Sequence, residues 1–326
     1  MYSSELHELI QILTPNEKEE FKISITKNGL LVKQTSLTGK LFDLLATSNK
    51  KIDNKILIKK LYKSSNSEAN FRKLVYRTRN KILDFLANNF SIENINKIDE
   101  AVNAKQNVLK KILAFQILFY KGQYIKLLNT LLEEILATSI QYEFYPILIE
   151  YLFFKKILLG VKEGDKTFKE FDNKIQFYSR CYIALNKAVE MNHQLKYIDG
   201  KTSSNHYKNN VQKEIEVLRK ETFNTKSIQI EYYKLYHEFT FFNINLQYKK
   251  ARTIGYKILK LINENIVLKR KERLGIVYAH ITLTEIHLQN YKQAFECIEY
   301  SKLYLNQNTR NYFLILENEF LCNFYS

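Results

Sequence analysis

Three stretches of this chain repeat one phrase: GQYIKLLNTLL (residues 122–132), LQYKKARTIGY (246–256) and NYKQAFECIEY (290–300). In each, a tyrosine opens a helical pattern and is followed three residues later by Leu127, Ala251 or Ala294. Tyr248 and Tyr291 are 43 residues apart, and Tyr124 stands 124 residues before Tyr248. Three steps of similar length fill that gap. They predict two further members, met by Phe168 in DKTFKEFDNKI and Tyr207 in NHYKNNVQKEI. A quasi-period of this size leaves few folds open. Each unit is one helical hairpin, too small to bury its own apolar face, so neighbours must stack on one another.

The physics of each frame is the same. One helix ends, a short polar turn follows, and an aromatic side chain starts the next helix. A small residue one turn later lets the paired helix come close. In this the chain resembles the tetratricopeptide repeats, in which a tyrosine and then an alanine open the second helix. LQNYKQAFECIEYSKLY and NLQYKKARTIGYKILKL carry the match, while in YKGQYIKLLNTLLEEIL Leu127 replaces the small residue. The resemblance implies an α-solenoid of about five hairpins over residues 96–326. Tyr124, Phe168, Tyr207, Tyr248 and Tyr291 would each lie in the first turns of a second helix, with Ala251 and Ala294 at close helix contacts.

Composition agrees with an all-α chain. Only eight glycines and two prolines punctuate 326 residues, of which 45% are apolar and 13% aromatic. Strand-rich folds need more turn residues, and phosphate-cradling loops need glycines. In SIQIEYYKLYHEFTFFNINL, Ile228, Tyr232, Leu235, Phe239, Phe242 and Leu246 recur at steps of four and three and mark one helical face. Tyr233, Tyr236 and Phe241 mark a second, as a helix between two neighbours requires.

Residues 1–95 read as a separate, basic helical domain. LTPNEKEEF is a helix start, with Thr14 as N-cap, Pro15 at the first helical position and Glu17 closing a capping box. Three more helices are predicted near 36–47, 53–62 and 67–89, with Asp53 and Ser67 as caps. The net charge is +16, yet residues 21–90 alone hold 15 basic and 4 acidic side chains. In SEANFRKLVYRTRNKILDFLANN, Phe71, Leu74, Val75, Thr78, Ile82 and Leu86 form the buried face. Lys73, Arg77 and Lys81 line another, flanked by Arg72 and Arg79. Such a helix suits a phosphate backbone. Residues 40–83 loosely resemble winged-helix DNA-binding domains of bacterial regulators, in which a similar last helix enters the major groove. Those domains continue into a β-hairpin, whereas ANNFSIENINKIDEAV shows no strand alternation. The block as a whole, LTPNEKEEFKISI then GKLFDLL then FRKLVYRTRNKILDFL, is similar to that of bacteroidete proteins with helical repeats behind it. That group brings no known catalytic residues.

Other chemistry finds little support. Cys181, Cys297 and Cys322 are far apart and fit buried thiols in a reducing compartment. His280 and His287 are seven residues apart near Glu285, a spacing without the third ligand a metal wants. Glu133 and Glu134 are adjacent, so on a helix they diverge and cannot act as an acid–base pair. No catalytic, cofactor-binding or metal-binding residues are assigned. The N-terminus lacks a signal-peptide pattern, and FYPILIEYLFFKKILLG is too charged to span a membrane, which points to the cytoplasm. The expected function is a non-enzymatic scaffold or adaptor whose repeat groove binds a protein or peptide. The alternative is a nucleic-acid-binding regulator that uses the basic block at residues 21–90.

Overall fold

The computed structural model describes residues 2–26, 36–48, 52–62, 67–88, 100–121, 125–196, 205–307 and 309–326. These residues are 88% helical and contain no strand. They form α1 (Tyr2–Ile12), α2 (Pro15–Thr26), α3 (Leu37–Ala46), α4 (Asn54–Tyr62), α5 (Glu68–Asn88), α6 (Glu100–Tyr120), α7 (Ile125–Gln141), α8 (Tyr145–Glu163), α9 (Asp165–Lys196), α10 (Asn205–Thr225), α11 (Ile228–Ile244), α12 (Tyr248–Glu264), α13 (Lys271–His287), α14 (Tyr291–Tyr304) and α15 (Arg310–Tyr325). The chain divides into two compact units, Met1–Glu93 and Asn94–Ser326.

In the N-terminal unit α3 is the hub and touches α1, α2, α4 and α5. Its core is Leu6, Ile10, Phe21, Leu41, Phe42, Leu45, Leu57, Phe71 and Ile82, with Phe21 against Phe42 at 4.8 Å and Phe85 at 5.5 Å. The capping box forms as its sequence requires: the Thr14 N–H donates to Glu17 Oε2 at 2.7 Å, and the Glu17 N–H to Thr14 Oγ1 at 3.3 Å. Asp53 Oδ1 accepts from the Lys55 N–H at 2.9 Å and starts α4. The segment where a β-hairpin would follow α5 lies outside the described residues. α1 is not among the expected helices, because among the described residues its three turns bury only Leu6 and Ile10 as apolar side chains, too few to mark a period.

In the C-terminal unit each helix packs on the next, and α9 and α13 also touch α11 and α15 respectively. Three of its turns share one geometry. Glu143, Leu246 and Gln289 are left-handed, with φ of 53°, 58° and 60°. Each donates its N–H to the carbonyl three residues back, and the next residue donates to the carbonyl five back: Phe144 to Ser139, Gln247 to Phe242, and Asn290 to Glu285, all at 2.9 Å. This pair of hydrogen bonds satisfies carbonyls that the ending helix leaves open. A tyrosine then opens the next helix each time: Tyr145, Tyr248 and Tyr291. Three residues on, Leu148, Ala251 and Ala294 are fully buried. The same turn followed by a tyrosine helix start thus occurs three times among the described residues, at Tyr145, Tyr248 and Tyr291. Leu246 leaves the α11 face for this turn and is 71% exposed. Ala294→Leu should cost about 1–3 kcal/mol by overpacking, read as a lowered urea midpoint at constant slope.

The interval from Phe168 to Tyr207 differs from a helix pair. Phe168 is the fourth residue of α9, and α9 runs unbroken for 32 residues. It contains neither glycine nor proline, so nothing in it opposes continuation. Phe168 is 40% exposed, with Lys156 Nζ 4.5 Å above its ring. Tyr207 is the third residue of α10. Tyr124 lies outside the described residues. A tie of high sequence separation joins the α7–α8 turn to α11. The Glu143 carboxylate accepts from the Ile228 N–H and the Ser227 hydroxyl, both at 2.7 Å, and so caps α11 together with Ser227.

Candidate functional site

α5 buries Phe71, Leu74, Val75, Thr78, Ile82 and Phe85 on one side. The other side is exposed and carries Arg72, Lys73, Arg77, Arg79 and Lys81. Arg72 reaches back to Glu68 at 2.6 Å, and the Arg77 Nε–H donates to the Lys73 carbonyl at 3.4 Å. Among the described residues no ion pair engages Lys73, Arg77, Arg79 or Lys81. Tyr76, 62% exposed, projects among them. Sequence reading passed over this tyrosine, although its offset from the apolar stripe already placed it outward. Lys55 and Lys59 of α4 are also exposed, and Lys51 lies outside the described residues.

A cleft of about 890 Å³ crosses alternate helices of the C-terminal unit. Its walls are Tyr236, Thr240 and Asn243 of α11, His280, Leu283 and His287 of α13, and Asn311, Phe313 and Glu317 of α15, with Asn192 of α9 and Tyr248 of α12 also lining it. Asn243 is held on both sides of its amide: Nδ2 donates to the Phe239 carbonyl at 3.1 Å, and Oδ1 accepts from the Thr284 hydroxyl at 3.0 Å. His287 stacks on Tyr248 with ring centres 4.5 Å apart, and His280 meets Tyr236 edge-on at 5.6 Å. Burial pushes the Tyr236 phenol well above its ordinary pKa, so it stays neutral. Among the described residues, no lysine or arginine lines the cleft. The two histidines, set aside as a metal pair in the sequence, are here aromatic wall. The lining residues at 280, 283, 284 and 287 share one helical face, a signal hidden among the equally periodic core positions.

The remaining reactive groups are buried or paired. Cys181, Cys297 and Cys322 are free and buried. Burial pushes the Cys181 and Cys297 thiols up to about 11, which removes the thiolate near neutral pH. Glu133 and Glu134 part company, one pairing with Lys155 of α8 and the other with Lys111 of α6. Glu285 is fully buried and serves the α12–α13–α14 junction through Arg252, Tyr256 and Asn290. Among the described residues, no helix is long and apolar enough to cross a membrane, and no three His, Cys, Asp or Glu side chains are grouped to hold a metal ion. Comparison with protein families, with curated proteins and with solved structures returned no match.

Proposed function

We propose that the C-terminal unit is a degenerate tetratricopeptide-like solenoid and that the protein is a non-enzymatic cytoplasmic adaptor, binding an extended peptide or protein segment in the α11–α13–α15 cleft. One observation carries the reading: a single cleft takes its walls from α11, α13 and α15, as stacked hairpins would arrange them. The recurring turn, with its tyrosine and buried Ala251 or Ala294, supports the stacking.

The lining suggests the partner's chemistry. Aromatic and aliphatic walls favour apolar side chains, and the amides of Asn192 and Asn311 match a peptide backbone. Among the described residues Glu317 is the cleft's only carboxylate and no lysine or arginine lines it, which disfavours phosphates. The test is affinity capture from the native cell with the full chain, with and without nuclease. Leu283→Asp and Phe313→Asp alter positions 37% and 64% exposed, so the fold should survive. The expected result is a nuclease-resistant protein partner, lost in both variants and kept when Arg77 and Lys81 are both changed to Glu. A partner retained by both cleft variants would overturn the reading.

A further inference from the structure

We propose that α5 of the N-terminal unit is a duplex-DNA-binding helix that lies in the major groove, with one pair of cations on each flanking phosphate strand. At 3.6 residues per turn, Arg72 and Arg79 fall within roughly 20° of each other around the axis, and Arg77 and Lys81 within roughly 40°. The two pairs stand about 170° apart and bracket the buried stripe. Between them, on the outward arc, stand Leu83, Tyr76, Asn80, Lys73 and Asp84, with Leu83 40% exposed. The exposed half of the helix is thus a cation pair, a mixed polar and apolar strip, and a second cation pair.

That order matches a groove better than a plain anionic surface. A helix is about 10–12 Å across with side chains, close to the roughly 12 Å width of the B-DNA major groove. Cations on both shoulders meet the two phosphate rows, which position the protein without reading sequence. The strip between them then faces base edges. An asparagine amide pairs with adenine, a lysine with guanine, and an aspartate accepts from the cytosine amine. An acidic phospholipid surface offers no partner to Asp84 at that place. Duplex RNA has a major groove too narrow for a helix, so it should be the weaker ligand. The chain's lysine excess does not account for the patch, since three of its nine arginines are Arg72, Arg77 and Arg79. Arg72 would exchange its Glu68 partner for phosphate.

The experiment uses the full chain and a labelled mixed-sequence DNA duplex of two helical turns, followed by fluorescence anisotropy across a salt series. Four phosphate contacts predict a log–log slope near −3.6, or roughly 150-fold weaker binding at 200 mM than at 50 mM salt. The double variant Arg77→Gln/Lys81→Gln should halve that slope, and Arg77→Glu/Lys81→Glu should abolish binding with the helical circular dichroism unchanged. Tyr76→Ala/Asn80→Ala should weaken binding to the duplex and leave the slope where it was. Duplex RNA, single-stranded DNA and phosphatidylserine-rich vesicles should each bind more weakly at equal salt. Absence of duplex binding at 50 mM salt, binding that survives both double changes at Arg77 and Lys81, or tighter binding to any of the three competitors would overturn the proposal.

Discussion

Arg252→Ala is expected to destabilise the C-terminal unit by about 3 kcal/mol, the low end of the cost of stranding a buried charge. The charge is that of Glu285, whose side chain is fully buried in α13. It accepts from Arg252 Nε at 3.2 Å, the Tyr256 hydroxyl at 3.3 Å and Asn290 Nδ2 at 2.9 Å. Arg252 is its only cationic partner among the described residues. Half of the arginine side chain faces solvent, so water can partly replace it, which moderates the loss. A second change separates charge from packing. Adding Glu285→Gln to Arg252→Ala removes the stranded carboxylate while keeping an acceptor for Asn290. The double variant should regain stability over Arg252→Ala alone, seen as a higher urea midpoint. A double variant no more stable than the single would show that only the arginine stem mattered.

Gly275→Val should destabilise the same unit by about 3 kcal/mol, with Gly275→Ala costing less. Gly275 sits in α13 where the end of α14 presses on it. A Cβ there would meet Leu305 Cγ at 2.5 Å and Tyr304 Cβ at 3.2 Å. Its carbonyl also accepts from the buried Ser301 hydroxyl at 3.2 Å, so the helices cannot part without breaking that bond. Alanine recovers up to about 1 kcal/mol of helix propensity against this clash, and valine recovers less. Thermal melts of the two variants should rank them glycine, alanine, valine from most to least stable. An alanine variant more stable than the parent would mean that Leu305 yields at little cost.

The sequence carried much of this fold because helices answer to local rules. The scarcity of glycine and proline, the Thr14–Glu17 capping box and the stripes on α5 and α11 all act within a few residues of themselves. The buried positions of α5 follow from its 3.6-residue pattern, with Phe85 added and Leu86 only partly buried. The tyrosine frame was legible at Tyr248 and Tyr291, where a small residue follows, and illegible at Tyr145, where Leu148 fills the same buried place. A frame read from side chains misses a turn defined by backbone bonds.

By itself, then, the sequence determined helix type, most helix starts and which face of each helix is apolar, since these depend on neighbours three or four residues away. Only the tertiary structure decided what depends on distant partners. It showed one 32-residue helix where a hairpin was expected, with α9 packed on α8, α10 and α11. It put the Glu143 carboxylate on the start of α11, and it closed Glu285 into a junction of three helices. It also turned His280 and His287 into the wall of a cleft shared with α11 and α15. Such sites are sums over residues tens of positions apart, and no local period encodes which helices meet.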